Sequence, residues 1–344
     1  MLVLDGSYGE GGGQIVRTAL ALAALTGRSV RLENIRGRRP KPGLRPQHLT
    51  GVQALARITG AEVSGAALGS TSLTFAPRGI FPGRYRFDVA QRTGSAGAVT
   101  LLAQTLLPVL ALARQPSSLT LQGGTHVPWS PPYDYFAAVF LPSLRQLGLQ
   151  AAAAIQRWGF YPRGGGEISL EVRPTAGWRG AVWTTPPPLA AFRCLSAAAN
   201  LPAHVRERQS RCLREQLALP VSEESPPSPG PGSFVMIWGP QAGFSALGAR
   251  GKPAEAVAQE AAARLRTFLA SKAAVDRHLA DQLLLYAALA AGETIFSTEA
   301  ITQHLLTNRW VIQQFLDVEI EITGSLQEPG LVRIQGLNLA RGDL

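Results

Sequence analysis

Cysteine is almost absent from this 344-residue chain: Cys194 and Cys212 are the only two. That is too few for a disulfide scaffold, and they lack metal-ligand spacing, so a reducing compartment is expected. Lysine is nearly as scarce, with Lys41, Lys252 and Lys272 alone among 33 basic residues. No K-x-D-G motif occurs, so the usual lysine nucleophile of nucleotidyl transfer is missing, and the absence of G-x-x-x-x-G-K-[ST] excludes a Walker phosphate loop. Long apolar runs are also lacking. Even residues 99–113 are interrupted by Gln104, Thr105 and Pro108, which excludes a span of the roughly 18–20 residues that a bilayer requires. The opening MLVLDGSYGEGGG has no basic segment, apolar stretch or cleavage site of a signal peptide, so no membrane association is expected and the cytoplasm is the expected location. Charged residues are only 16% of the chain against 46% apolar, a globular balance.

What charge there is leans one way. The formal net charge is +10, carried almost wholly by arginine, whose planar fork suits phosphate. A compositional bias toward Arg, Ala and Gly explains the global figure equally well, so local clustering has to carry the argument. The densest cluster is RGRRPKPGLRPQH (residues 36–48), with five cationic side chains in ten residues on a proline-stiffened segment that cannot be core. Arg36 and Arg39 are the better candidates for clamping phosphates, with Gln47 at the start of the next helix.

Three stretches share one plan. Residues 19–37, 106–126 and 283–304 each read as an apolar helix, a turn, an alternating strand and a polar loop, and each leads into a second striped helix (residues 47–60, 133–148 and 303–316). Two of the second helices open with Gln-His-Leu, at residues 47–49 and 303–305. A duplicated unit of helix, strand, helix, strand is expected, giving an α/β (α+β) fold of packed modules. Between the second and third units the composition changes abruptly: a charged helix at 203–217, the loop ESPPSPGPG (residues 224–232) and both cysteines. Residues 184–273 therefore read as a smaller α/β domain inserted into a repeat domain of 1–183 and 274–344.

The chemistry-bearing residues lie mostly in the loops of these units. GEGGGQIVR (residues 9–17) joins a short strand to a helix, where backbone N–H groups can face an anion, and Glu10 within it suggests a divalent cation bridging carboxylate and phosphate. Arg17 follows about two turns on. His304 heads its helix, with Asn308 a turn further and HLADQ (residues 278–282) supplying Asp281 and Gln282 nearby. A neutral imidazole can attack the α-phosphorus of ATP and form a labile phosphoramidate. GGTHVPWSPPYDYF (residues 123–136) combines rigid prolines with rings, and Pro131 with Tyr135 could wall a nucleobase slot, though an ordinary loop into an aromatic-faced helix reads as well.

Taken in order, GEGGGQIVR, KPGLRPQHLTG (41–51), GSAG (94–97), GGTHVPWSPP, YPRGGGE (161–167), HLADQ and QHLLTN (303–308) resemble the RNA 3'-terminal phosphate cyclase family. The match departs at Trp158, where members usually have Arg or His, at His278, commonly Tyr, and at Tyr135, commonly Phe. The resemblance implies three modules, each a four-stranded sheet with two helices, plus an inserted domain of thioredoxin-like arrangement. It implies that His304 takes AMP from ATP, passes it to an RNA 3'-phosphate, and that the 2'-OH then closes a 2',3'-cyclic phosphate. By matching position, Glu10 would bind a divalent cation, Mg or Mn; Arg17, Arg36, Arg39 and Gln47 would hold phosphates of ATP or RNA; and Gln104, Pro131, Tyr135, His278, Asp281 and Gln282 would shape the adenosine pocket. No obligate protein partner is implied. The rivals are the family's noncatalytic, ribosome-assembly branch, which lacks the histidine, an enolpyruvyl-type transferase of similar architecture, and a plain RNA-binding protein.

Overall fold

The computed structural model describes residues 1–89 and 96–339. Gly94 and Ser95 of the GSAG motif lie outside them. The chain opens with β1 (Leu2–Asp5), α1 (Gly13–Thr26), β2 (Val30–Glu33), α2 (Pro46–Thr59), β3 (Glu62–Ser64) and β4 (Leu73–Ala76), which form a sheet in the order β1-β2-β4-β3. β1 runs parallel to β2, and β4 pairs antiparallel with both β2 and β3.

The second module repeats this path. β5 (Arg84–Asp88), α3 (Val99–Ala111) and β6 (Ser117–Gly123) lead into a helical segment made of α4 (Tyr133–Tyr135), a π turn (Phe136–Phe140) and α5 (Leu141–Gln146), then the hairpin β7 (Gln150–Arg157) and β8 (Gly166–Arg173), in the order β5-β6-β8-β7. Pro142 has no N–H to close an α-turn onto Ala138, and the widened turn precedes it.

The third module begins with β9 (Val182–Trp183) and is then interrupted by β10 (Arg193–Ala199), α6 (His204–Leu217), β11 (Val221–Glu224), β12 (Gly232–Gly239), β13 (Ala242–Leu247) and α7 (Ala254–Ser271). It resumes with α8 (Arg277–Leu289), β14 (Ala291–Thr298), α9 (Gln303–Phe315), β15 (Glu319–Thr323) and β16 (Gly330–Leu337), whose sheet order is β15-β16-β14-β9. The repeating unit is therefore strand, helix, strand, helix and a closing hairpin. That is longer than the helix-strand-helix-strand unit legible in the sequence, because an opening strand of two to five residues carries no period of its own.

Burial explains how the modules join. α1 is buried along nearly its whole length, from Gln14 to Leu25, and packs against α2, α3 and α9, so helices from all three modules meet around it. One apolar cluster runs through the three modules. The interrupting elements build a fourth sheet, β11-β10-β12-β13, buried on both faces: Leu195, Ala197, Phe234 and Met236 turn to the three-module core, while Cys194, Val235 and Ile237 turn to a second cluster beneath α6 and α7. Such double burial is why RCLSAAA and FVMIW read as apolar runs rather than as alternation. Among the described residues no helix is long and apolar enough to cross a membrane.

Candidate active site

The glycine loop before α1 lies against α9. Gly9, at φ 57°, has no room for a side chain: a Cβ there would come 2.3 Å from Thr307 Oγ1. This close approach brings Glu10 Oε2 to 2.9 Å from Nε2 of His304, while Glu10 Oε1 accepts from Arg39 NH2 at 2.7 Å. On the other side of the imidazole, Nδ1 is hydrogen-bonded to Oε1 of Gln14, a buried residue in the first turn of α1. The Gln14 amide nitrogen donates to Asp281 Oδ2 and to the His304 carbonyl, both at 3.1 Å. Since that nitrogen serves two acceptors, the amide oxygen must face His304, so Nδ1 carries a ring proton and Nε2 is the nitrogen that holds the lone pair whenever the ring is neutral.

The same geometry sets the charge. Burial lowers the His304 pKa below 6.5, Glu10 opposes the shift, and Arg17 and Arg39 reinforce it. Burial and the two arginines thus favour the neutral ring, and the Glu10 carboxylate at Nε2 favours the charged one. Glu10 Oε2 is itself buried without an aligned donor, the condition of a carboxylate oxygen poised for a cation. No cluster of three or more His, Cys, Asp or Glu among the described residues could hold a metal ion, so an ion at Glu10 would draw its remaining ligands from phosphate and water.

Behind the histidine, Thr18 Oγ1 donates to Asn308 Oδ1 and Asn308 Nδ2 donates to the Asp281 carbonyl, each at 2.7 Å, tying α1, α9 and α8 together. A cleft beside this tie is lined by Gln14, Arg17, Gln104, Asp281, Gln282 and Asn308. Across it Gln104 Nε2 donates to Gln282 Oε1 at 2.8 Å, joining α3 to α8. Burial lowers the Arg17 pKa to about 10 against the pull of Asp281, leaving it cationic at neutral pH, and burial raises Asp281 to about 7 although Arg17 opposes that shift.

A glycine-rich loop, an imidazole and a cleft that holds Arg17 lie side by side, an arrangement chemically suited to attack on a phosphate ester. Comparison with known proteins agrees: the family described as RNA 3'-terminal phosphate cyclase matches residues 8–322. The chain belongs to the RNA 3'-terminal phosphate cyclase family. It is similar to the RNA 3'-terminal phosphate cyclase of Thermococcus onnurineus, 46% identical over 98% of this chain and 99% of the relative. The cyclase of Methylococcus capsulatus is 48% identical over 98% and 97%, and that of Pyrococcus abyssi 44% over 97% and 98%. Among solved structures, the enolpyruvyl transferase NikO from Streptomyces tendae overlaps 99% of this chain and 49% of its own, at 12% identity and a TM-score of 0.40, too loose a likeness to argue from.

Of the residues that the cyclase resemblance nominated, Glu10 contacts both Arg39 and His304, and Arg17, Gln104, Asp281 and Gln282 line the adjoining cleft. Gln47 lines a smaller pocket with Arg17 and His48. Pro131 is fixed at the first turn of α3, its carbonyl accepting from Thr100 Oγ1 at 2.7 Å, one turn before Gln104. Three residues are placed otherwise than the sequence suggested. Arg36 adopts φ 55° and donates to the carbonyls of Lys41 and Gly43, so this guanidinium braces its own loop. Tyr135 is buried, its hydroxyl given to Asp276 and its ring set against Gly243 of β13, so it faces the fourth sheet instead of walling an open slot. His278 is exposed and is not among the residues that line the cleft.

The two Gln-His-Leu segments do not occupy equivalent positions. α2 starts at Pro46, which makes His48 its third residue, whereas α9 starts at Gln303, which makes His304 its second. One residue is about 100° around a helix. His48 turns inward, accepts from Arg45 N through Nδ1 at 3.1 Å and sits where a Cβ on Gly13 would meet its Nε2 at 2.1 Å. Burial, with Arg17, Arg36 and Arg45 nearby, drives its pKa down to about 3. The arginines of α6 are spent locally: Arg208 makes a two-pronged bond to Glu255, and Arg206 and Arg214 both approach Glu223. Gln14 is the functional residue that sequence reasoning passed over, since its partners lie 267 and 290 positions away.

Proposed function

We propose that this chain is an ATP-dependent RNA 3'-terminal phosphate cyclase whose covalent nucleophile is His304. The carrying observation is the orientation of that ring: Gln14 fixes the proton on Nδ1, and Nε2 points out beside Glu10. Nε2 attacks the α-phosphorus of ATP and pyrophosphate leaves. As the new N–P bond forms, the ring takes up positive charge, which the Gln14 oxygen stabilises through Nδ1–H. An oxygen of the RNA 3'-phosphate then attacks the same phosphorus and breaks the N–P bond, restoring neutral His304. Finally the RNA 2'-OH attacks its own 3'-phosphorus, AMP departs, and the hydroxyl proton is lost to solvent. Arg17 and Arg39 meet the phosphate charge, and Gln104, Asp281 and Gln282 bound the nucleoside side of the cleft. A divalent cation, magnesium or manganese, would be held by Glu10 and would supply neutralisation of the departing charge.

Residues 184–273 are read here as an inserted domain of thioredoxin-like arrangement. The order strand, helix, three strands, helix and the separate apolar cluster support that reading. The cytoplasm, where ATP and RNA ends coexist, fits two buried free thiols.

The test is incubation with ATP labelled in its α-phosphate. Acid-labile label retained on denatured protein and abolished in His304→Ala is the expected result. A folded, ATP-binding protein that takes up no label would instead place the chain in the noncatalytic branch.

A further inference from the structure

Two aromatic rings adjoin the site that the adenylation chemistry does not use. Tyr8, 42% exposed, lies two residues before Glu10, and its ring stacks on Trp310 of α9 with centroids 4.0 Å apart and planes 14° from parallel. Trp310 covers one face of the tyrosine, so the exposed area falls on the other face and the edge. Single exposed rings are ordinary on a protein surface, so it is the position of this one that must say whether anything covers it.

Its position says what. From Tyr8 to Glu10 the backbone runs along α9 toward the N-terminus of the helix: Tyr8 against Trp310, Gly9 against Thr307 and Gln303, Glu10 against His304. His304 and Trp310 are separated by about 9 Å of helix rise, the scale of a nucleotide step in an extended strand. Arg38 NH1 donates to the Gly9 carbonyl at 2.9 Å and Arg39 holds Glu10 at 2.7 Å, so cationic groups flank the path between ring and nucleophile. Aromatic platforms beside a cationic track bind single-stranded nucleic acid with little sequence preference, since every base has a flat face.

We propose that the Tyr8–Trp310 stack is a platform for the base of a nucleotide at or next to the RNA 3' end, holding the terminal phosphate toward His304. This rests on RNA as the substrate. Tyr8 is then a substrate-positioning residue, and Trp310 sets the plane of its ring.

The experiment measures binding of a short 3'-phosphorylated RNA by fluorescence anisotropy without ATP, with the intact oligonucleotide and with versions abasic at each of the last three positions in turn. Tyr8→Ala is expected to raise Kd for intact RNA roughly tenfold, and Tyr8→Trp to restore it. One abasic position is expected to weaken the wild type by a similar factor and Tyr8→Ala hardly further. Labelling from ATP alone should be unchanged in Tyr8→Ala. Equal abasic losses in both proteins would overturn the platform, as would loss of self-labelling or a raised KM for ATP in Tyr8→Ala, which would assign the stack to loop structure or to adenine. If the wild type takes up no label, the catalytic reading fails while the anisotropy series still decides the platform.

Discussion

Replacing Gln14 by leucine removes the group that holds Nδ1 of the proposed nucleophile, His304, and leaves the histidine itself unaltered. The amide makes three contacts: its oxygen to His304 Nδ1, its nitrogen to Asp281 Oδ2 and to the His304 carbonyl. On attack, the imidazole becomes cationic and the Nδ1–H bond to Gln14 becomes charge-assisted. Such a bond is worth about 1.5–3 kcal/mol in the transition state and less in the ground state. Against about 0.5–1.5 kcal/mol for the neutral bond, the difference is about 1–1.5 kcal/mol, so at about 1.4 kcal/mol per factor of ten adenylation in Gln14→Leu should be roughly 5- to 13-fold slower at saturating ATP. The assay is single-turnover accumulation of labelled protein. The same substitution leaves a buried carboxylate oxygen and a carbonyl without their donor, at a stability cost of about 1–3 kcal/mol, which thermal unfolding reads separately from the rate. Gln14→Glu keeps an oxygen toward Nδ1 but adds negative charge beside the ring, so it should recover part of the rate and move the pH–rate inflection upward. A Gln14→Leu enzyme that adenylates within threefold of the wild type would refute the tautomer argument.

Other expectations concern the groups around that ring. His304 reacts when neutral and its pKa is held below 6.5, so the adenylation rate should be flat above that value and lost as pH falls through it; Glu10→Gln removes the opposing charge and should shift the inflection to lower pH in single-turnover profiles. Gly9→Ala places a methyl 2.3 Å from Thr307 Oγ1 at a left-handed backbone position and should push the loop off α9, lowering adenylation at least tenfold while leaving the rest folded by circular dichroism. Asp276 accepts from the backbone of His278 and Leu279, from Tyr135 Oη and from Gly243 N at 2.8–3.0 Å; Asp276→Asn sets an amide donor against one of these donors and should cost about 1–3 kcal/mol in denaturant unfolding, whereas an unchanged midpoint would show the contacts to be unimportant.

The parts of the fold legible in sequence were those with a period. α1, α3 and α8 announced themselves through Ala- and Leu-rich stripes, and the break in composition after the second module came from the charge of α6 and the proline-rich loop. The opening strands β1, β5 and β9 did not, since two to five residues hold too few alternations to register. In the site, Glu10, Arg39 and His304 were legible because each has a chemistry-bearing side chain in a loop or at a helix head. Gln14 was illegible for the opposite reason: an amide in the first turn of an apolar helix looks like a surface residue until α8 and α9 close over it. Arg36 has a second task that the sequence did not show. A basic residue in a proline-rich loop reads as a phosphate clamp, and the loop's own carbonyls also need donors, which one nitrogen of this guanidinium supplies.

The place of the interruption bears on how the site is held. The fourth sheet enters between β9 and α8, just ahead of the helix that carries His278, Asp281 and Gln282. Asp276 stands at that junction as the N-cap of α8, and one carboxylate binds the helix's own first N–H groups, Tyr135 from the second module and Gly243 from β13. Tyr135 is therefore a strut: its ring packs on β13 and its hydroxyl fixes the cap that orients α8. A family position commonly occupied by phenylalanine gains a hydrogen bond here at no loss of packing volume. The fourth sheet thus meets α8 through a capping residue, and Arg206, Arg208 and Arg214 of α6 are paired with Glu223 and Glu255. Substitutions in that sheet should reach catalysis by tilting α8, which moves Asp281 and Gln282 together and leaves the His304–Glu10 contact between α9 and the glycine loop in place.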